Sequence, residues 1–179
     1  MAKDSGPSHF SVDALYEAMN ARRLELGLTW TDLAREVWQM SDVLSSRRHD
    51  HPISPSTLRN IASRQNTSCQ HALFVFRWLG RSPESFDPHA AGTARDRMLP
   101  PVGSDRRLRW DLRALYAAMD AQRRERALTW ETLARELRCG PAQLTGLRTA
   151  KYATSLWLAM QITAWLDRPV ADFVVATSW

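Results

Sequence analysis

Long apolar runs are missing from this chain of 179 residues, and so is any cysteine framework. No uninterrupted stretch of about 18 apolar residues occurs, so no membrane span is expected. The two cysteines, Cys69 and Cys139, fall at unrelated points of the chain. That excludes a disulfide scaffold and makes a reducing, cytoplasmic setting the expectation. Residues 1–10 have no apolar segment of the kind a secretory signal needs, so none is expected. Metal-ligand patterns are also lacking. His49-x-His51 and Cys69-x-His71 offer side chains that suit zinc, but their spacing matches no coordination pattern, so neither a metal nor another cofactor is expected. A Cys/His nucleophile needs an orienting carboxylate and an oxyanion site, and the sequence suggests neither, so the chain is not expected to be an enzyme.

What the chain does have is a long internal repeat. Leu28-Thr29-Trp30 and Leu33-Ala34-Arg35-Glu36 recur 100 residues later as Leu128-Thr129-Trp130 and Leu133-Ala134-Arg135-Glu136. Between residues 12–37 and 112–137, 15 of 26 positions are identical. The period is far longer than that of a solenoid repeat, so each copy reads as a small domain. Copies this small bury little core each, and the eight tryptophans help to fill it.

The formal charge is +5, and it is unevenly spread. Residues 1–87 hold 10 Lys and Arg against 10 Asp and Glu, residues 88–107 hold 4 against 2, and residues 108–179 hold 10 against 7. The excess therefore lies in the middle segment and the second copy, and it favours a polyanionic partner.

Helix punctuation is clear in both copies. Ser11 is an N-cap, with Phe10 placed to staple onto Leu15; Asp111, Trp110 and Leu115 take the same roles. Gly27 ends the first helix. Thr29 and Asp32 have capping-box spacing ahead of Leu33, Ala34 and Val37. In the second copy Arg138-Cys139-Gly140-Pro141 is a tight turn into the next helix. The first copy carries an insertion at 39–52 instead. Met40 and Leu44 continue the buried spacing, which predicts that helix two runs on to about Arg47. Ser54-Pro55 then starts helix three, with Leu58 and Ile61 inward. Helix four, near 70–79, is apolar on almost every side and belongs at the centre. Gly80 stops it, and Ser82-Pro83 opens a short fifth helix holding Phe86. The second copy repeats this, with Trp165-Leu166 matching Trp78-Leu79 and Phe173 matching Phe86. Residues 88–107 are rich in Pro, Gly, Ala and Arg and read as a linker. The Arg-Arg pairs at 22–23, 106–107 and 123–124 read as solvated faces. The expected architecture is all-α, with domains at 8–87 and 108–175 packed together as an intramolecular pseudo-dimer.

Gly27-Leu28-Thr29-Trp30-x-x-Leu33-Ala34, then Ser54-Pro55-Ser56-Thr57-Leu58-x-x-Ile61, then Trp78-Leu79-Gly80-x-x-Pro83-x-x-Phe86 resemble the Cro/lambda-repressor-like (XRE-type) helix-turn-helix family. The resemblance covers nearly all of both copies and implies a tandem duplication of a five-helix domain. It implies that the third helix enters the major groove of double-stranded DNA. Pro55, Ser56 and Asn60 then occupy base-reading positions, with Thr57 and Arg59 flanking them toward phosphates. Arg47, Arg48 and Arg64 add candidate phosphate contacts. The matching second helix reads Pro141, Ala142, Gln143, Leu144, Thr145, Gly146 and Leu147. It has little to read bases with, and Arg148 and Lys151 supply its phosphate-binding capacity. Trp30 and Trp130 stand where the family often has a phosphate-clamping Gln, and a packed indole is expected there. The functional expectation is a DNA-binding transcriptional regulator that reads bases with the first copy. The alternative is a protein-interaction module that kept the fold and binds a protein partner instead.

Overall fold

Local capping decides where most of the helices begin. The structure is a computed structural model that describes residues 8–48, 52–61, 63, 67–149 and 154–178. Helix α1 (Val12–Glu25) starts at Ser11, whose hydroxyl accepts the Ala14 N–H. Gly27 leaves it at φ +65°, in the left-handed region that glycine enters without strain. Helix α2 (Trp30–Gln39) opens with the full Thr29/Asp32 capping box, and these bonds hold the Asp32 carboxyl below its usual pKa. Helices α3 (Asp42–Arg48) and α4 (Pro55–Arg59) follow, then α5 (Cys69–Leu79) and a 3-10 turn at Pro83–Phe86. The second half contains α6 (Leu112–Glu125), α7 (Trp130–Glu136) and α8 (Pro141–Gly146). A 3-10 turn at Leu147–Thr149, α9 (Leu156–Trp165) and a last 3-10 turn at Val170–Phe173 complete the helical part.

Equivalent residues of the repeat make equivalent contacts. Trp30 stacks on Tyr16 at 5.9 Å, and Trp130 stacks on Tyr116 at 5.7 Å. The Arg23 and Arg123 guanidiniums also lie over these indoles, at 4.5 and 4.4 Å from the ring centroids. Each also donates to the carbonyl of Leu28 or Leu128. Trp78 Nε1–H donates to Glu36, and Trp165 Nε1–H donates to Glu136, both at 2.9 Å. Ser11 and Asp111 donate their N–H groups to the carbonyls of Phe86 and Phe173. At the end of the first helix Ala127 takes the left-handed conformation at φ 53° that Gly27 takes in the first copy, so a non-glycine carries the strain there.

The expectation of an all-α chain needs correcting in one place. The protein is mostly helical, with a two-stranded antiparallel sheet of β1 (Arg107–Trp110) and β2 (Val174–Thr177), in which Trp110 faces Val174 and Arg107 faces Thr177. Among the described residues the first copy has no such ladder. By the offset of the repeat, its matching residues are Pro7 to Phe10 and Asp87 to Ala90, and both segments contain a proline that cannot donate. There the Asp87 carboxylate takes over, accepting the Ser8 hydroxyl and the N–H groups of His9 and His89.

Helix two of the first copy also differs from expectation. It breaks at Met40-Ser41 and does not run on to Arg47. In an unbroken helix the Leu44 N–H would bond to the Met40 carbonyl. Here Arg77 takes that carbonyl at 2.6 Å, and the Leu44 N–H donates to the Ser104 carbonyl at 3.2 Å. Arg77 also reaches Ser41 Oγ and the carbonyls of Val102 and Gly103. Leu44 is buried all the same, at 2% exposure, so the apolar spacing identified the inward side chain while missing the break. The segment expected to be a linker is ordered against the helices. Ala90 is fully buried, Asp96 accepts the Ser82 hydroxyl, and Arg97 pairs with Asp172 at 2.9 Å.

One apolar core runs through both copies. Helix α5 packs on α9. At their N-termini Ser68 and Ser155 form an antiparallel bridge, with the Cys69 N–H on the Thr154 carbonyl and the Leu156 N–H on the Thr67 carbonyl, each at 2.8 Å. Trp110 Nε1–H donates to the Cys69 carbonyl at 3.0 Å, and the Gln161 amide pairs with both backbone groups of Ser8. No described helix is long and apolar enough to cross a membrane.

Candidate nucleic-acid interface

Helix α4 is five residues long, and its sequence gives it one inward and one outward side. Leu58 and, just beyond the helix, Ile61 are at 0% and 1% exposure. Ser56 and Arg59 are exposed, and Thr57 and Asn60 are partly covered. The helix packs directly on α2 despite the insertion between them. The extra turn is accommodated because α3 leans on the 102–107 segment through Arg77, Ser41 and Leu44.

The hydroxyls at the start of α4 are partly committed to one another. Ser54 Oγ accepts the Thr57 N–H at 3.1 Å and lies 2.9 Å from Ser56 Oγ and 2.8 Å from Thr57 Oγ1. Asn60 is the C-cap of the helix, not part of it, at φ −89° and ψ 6°. Its side-chain amide is therefore presented from a turn. Arg47 is exposed on the last turn of α3. The side chain of Arg48 and the whole of Arg64 and Lys151 lie outside the described residues.

Helix α8 occupies the matching place on α7 in the second copy. Leu144 and Leu147 are inward at 0% and 3% exposure, while Ala142, Gln143 and Thr145 face solvent. Gln143 is turned back onto the Gly140 N–H at 2.8 Å, which leaves the face short of free polar groups. Arg148 is exposed on the 3-10 turn that follows. Arg138, which sequence reasoning passed over, is exposed in the tight turn ahead of α8 with φ 53°. Its position between a helix end and Gly140-Pro141 was the available signal.

Of the Arg-Arg pairs expected to be solvated, Arg22, Arg106 and Arg124 are exposed, whereas their neighbours Arg23, Arg107 and Arg123 are partly or fully covered. Arg107 is 4% exposed, stacks over Trp38 at 4.7 Å and donates to Ser45 Oγ. Arg23 and Arg123 are held over Trp30 and Trp130, so these indoles pack and do not project as phosphate clamps. Of the sulfur and imidazole groups, Cys69 is buried, which pushes its thiol up to about 12. His71 is half-buried and held below the usual imidazole value by that burial. His49 and His51 lie outside the described residues.

Comparisons with family models, with curated proteins and with solved structures returned no match.

Proposed function

We propose that this chain is a sequence-specific regulator that binds double-stranded DNA through two tandem helix-turn-helix units of the Cro/lambda-repressor-like kind. Base reading falls to Ser56 and Asn60 around α4, with Thr57 and Arg59 at the flanks toward phosphate and Arg47 as a further phosphate contact. The second unit adds backbone attraction through Arg138 and Arg148. The observation that carries this reading is the two-sided character of α4. Leu58 and Ile61 anchor it to α2, while Ser56 and Arg59 stand in solvent where a groove edge can meet them. Arg pairs with guanine or phosphate, Asn with adenine, and Ser with several bases. A fluorescence-anisotropy titration on genomic fragments at several salt concentrations tests it. A preferred site should bind well above random DNA, with affinity falling as salt rises. No binding even at low salt would replace this reading with the second one.

That second reading is a protein-interaction module. The even charge of residues 1–87, with 10 basic and 10 acidic side chains, favours it, because phosphate binding gains nothing from a neutral surface.

A further inference from the structure

We propose that His9 and His89 together bind a divalent ion of the nickel, copper and zinc group. The two residues lie far apart in the chain, one just ahead of α1 and one beyond the 3-10 turn at Pro83–Phe86, so no sequence spacing announces them. In the structure their imidazoles meet, with centroids 4.2 Å apart and planes inclined by 48°. Both residues are exposed, and neither ring has a hydrogen-bond partner among the described residues.

One carboxylate fixes the backbone under the pair. Asp87 accepts the Ser8 hydroxyl and the His9 N–H through Oδ2 at 3.0 and 3.1 Å, and the His89 N–H through Oδ1 at 3.0 Å. The next residue after each histidine, Phe10 or Ala90, is buried. The rings therefore stand on anchored backbone, and an ion that bridges them orders little beyond two side chains.

The loss of the β ladder in this copy is what lets the rings meet. By the offsets of the repeat, Arg109 and Ala176 occupy these two positions in the second copy. Across the β1–β2 ladder Arg109 faces Val175 and Leu108 faces Ala176. Arg109 and Ala176 are thus one register step out of line, and side chains so placed point to opposite faces of a sheet. Neither could ligate an ion in any case. In the first copy the Asp87 hub stands in for the ladder and brings both imidazoles to one side.

The choice of ion follows from the ligand atoms. Neutral imidazole suits zinc, copper and nickel, whereas magnesium and calcium take oxygen ligands. With metal–nitrogen bonds of about 2.0–2.1 Å, two imidazoles on adjacent positions of one ion have centroids about 4.5–5 Å apart. The observed pair is slightly closer, and exposed rings open that gap by turning about their side-chain torsions. Among the described residues no third His, Cys, Asp or Glu completes the set. Water then takes the remaining positions, and His89 also lines a cleft of about 280 Å³ that has room for it. An ion held by two protein ligands exchanges readily and keeps open positions, unlike the closed shell of a structural zinc. The site does not depend on whether α4 touches DNA.

The test uses the untagged full chain with nickel, zinc and magnesium ions as probes. Calorimetry should show saturable binding of one nickel or zinc ion per chain at roughly micromolar concentration, and none of magnesium. His9→Ala and His89→Ala should each weaken nickel binding by about tenfold or more, while a His49→Ala/His51→Ala double variant binds as the wild type does. Should either single variant fail to fold, the wild-type chain gives the same answer by NMR. Substoichiometric copper ion should broaden the ring signals of His9 and His89 before those of His49, His51 and His71. No saturable binding below the millimolar range, equal binding of magnesium, folded single variants with undiminished affinity, loss of the ion in the His49/His51 variant, or broadening that begins at another histidine would each overturn the proposal.

Discussion

Ser68 and Ser155 pair with each other as an antiparallel bridge, and each also caps its own helix, accepting the N–H of His71 or Leu158. They are equivalent positions of the repeat, separated by the same 87 residues that relate Trp78 to Trp165. A contact in which a position meets its own counterpart is the mark of a two-fold relation, here drawn within one chain.

Because the core continues through this junction, the chain should unfold in one step. Calorimetry should give a single transition whose calorimetric and van't Hoff enthalpies agree. Two resolved transitions, one for each copy, would show that the bridge, Trp110 on Cys69 and Gln161 on Ser8 do not couple the halves.

Stability should fall between about pH 4.5 and 7 because of Glu84. This carboxyl is fully buried, accepts the Val170 N–H through Oε1 at 2.6 Å, and has no partner for Oε2 among the described residues. Burial raises its pKa from 4.5 to about 7. Below the unfolded value both states are protonated and nothing is lost. As pH rises through the folded value, the unfolded chain releases the proton more readily, and on the order of 3 kcal/mol of stability disappears. Urea midpoints across this range should show the slope in the wild type and not in Glu84→Gln, which keeps an acceptor for Val170. An identical slope in the two proteins would assign it elsewhere.

Arg77→Met should release α3 from the 102–107 segment. The guanidinium bonds Ser41 and the carbonyls of Met40, Val102 and Gly103, and methionine keeps the stem without the donors. A loss of about 2 kcal/mol or more is expected, since several carbonyls lose a charged partner at once. Hydrogen exchange at Leu44 should speed up more than exchange at Leu73 in α5. Unchanged protection at Leu44 would argue against the clamp.

On DNA the two copies should respond differently to substitution. Asn60→Ala should cost about 1–3 kcal/mol on a preferred site and little on random sequence. Arg138→Ala together with Arg148→Ala should weaken both alike and flatten the salt dependence by about one unit per lost contact. If Asn60→Ala affected both classes of DNA equally, base reading by the turn after α4 would be wrong.

Helix starts were legible in the sequence because they depend on neighbours a few residues away. Ser11, Thr29 with Asp32, Ser54 ahead of Pro55, and Asp111 all cap where their spacing implies. The misses depend on partners far along the chain. The break at Met40 needs Arg77, the burial of Arg107 needs Trp38 and Ser45, and β1 needs β2 to pair with. At the candidate interface the inward Leu58 and Ile61 followed from spacing, whereas the capping of α4 at Asn60 and the outward Arg138 did not. The contact of Trp38 with Phe74 joins α2 to α5 across the insertion, and no local pattern connects residues so arranged.

The insertion that makes α3 has a consequence for how such a molecule can change over time. In a homodimer each mutation appears on both sides of the axis, so a device that suits one side is imposed on the other. Here both sides share one reading frame and are written separately. One side can therefore hold an extra helix, a clamp from Arg77 and a contact of Trp38 with Phe74, while its counterpart holds the short turn at Arg138-Cys139-Gly140. Covalent linkage of the two halves thereby lets selection act on each side independently.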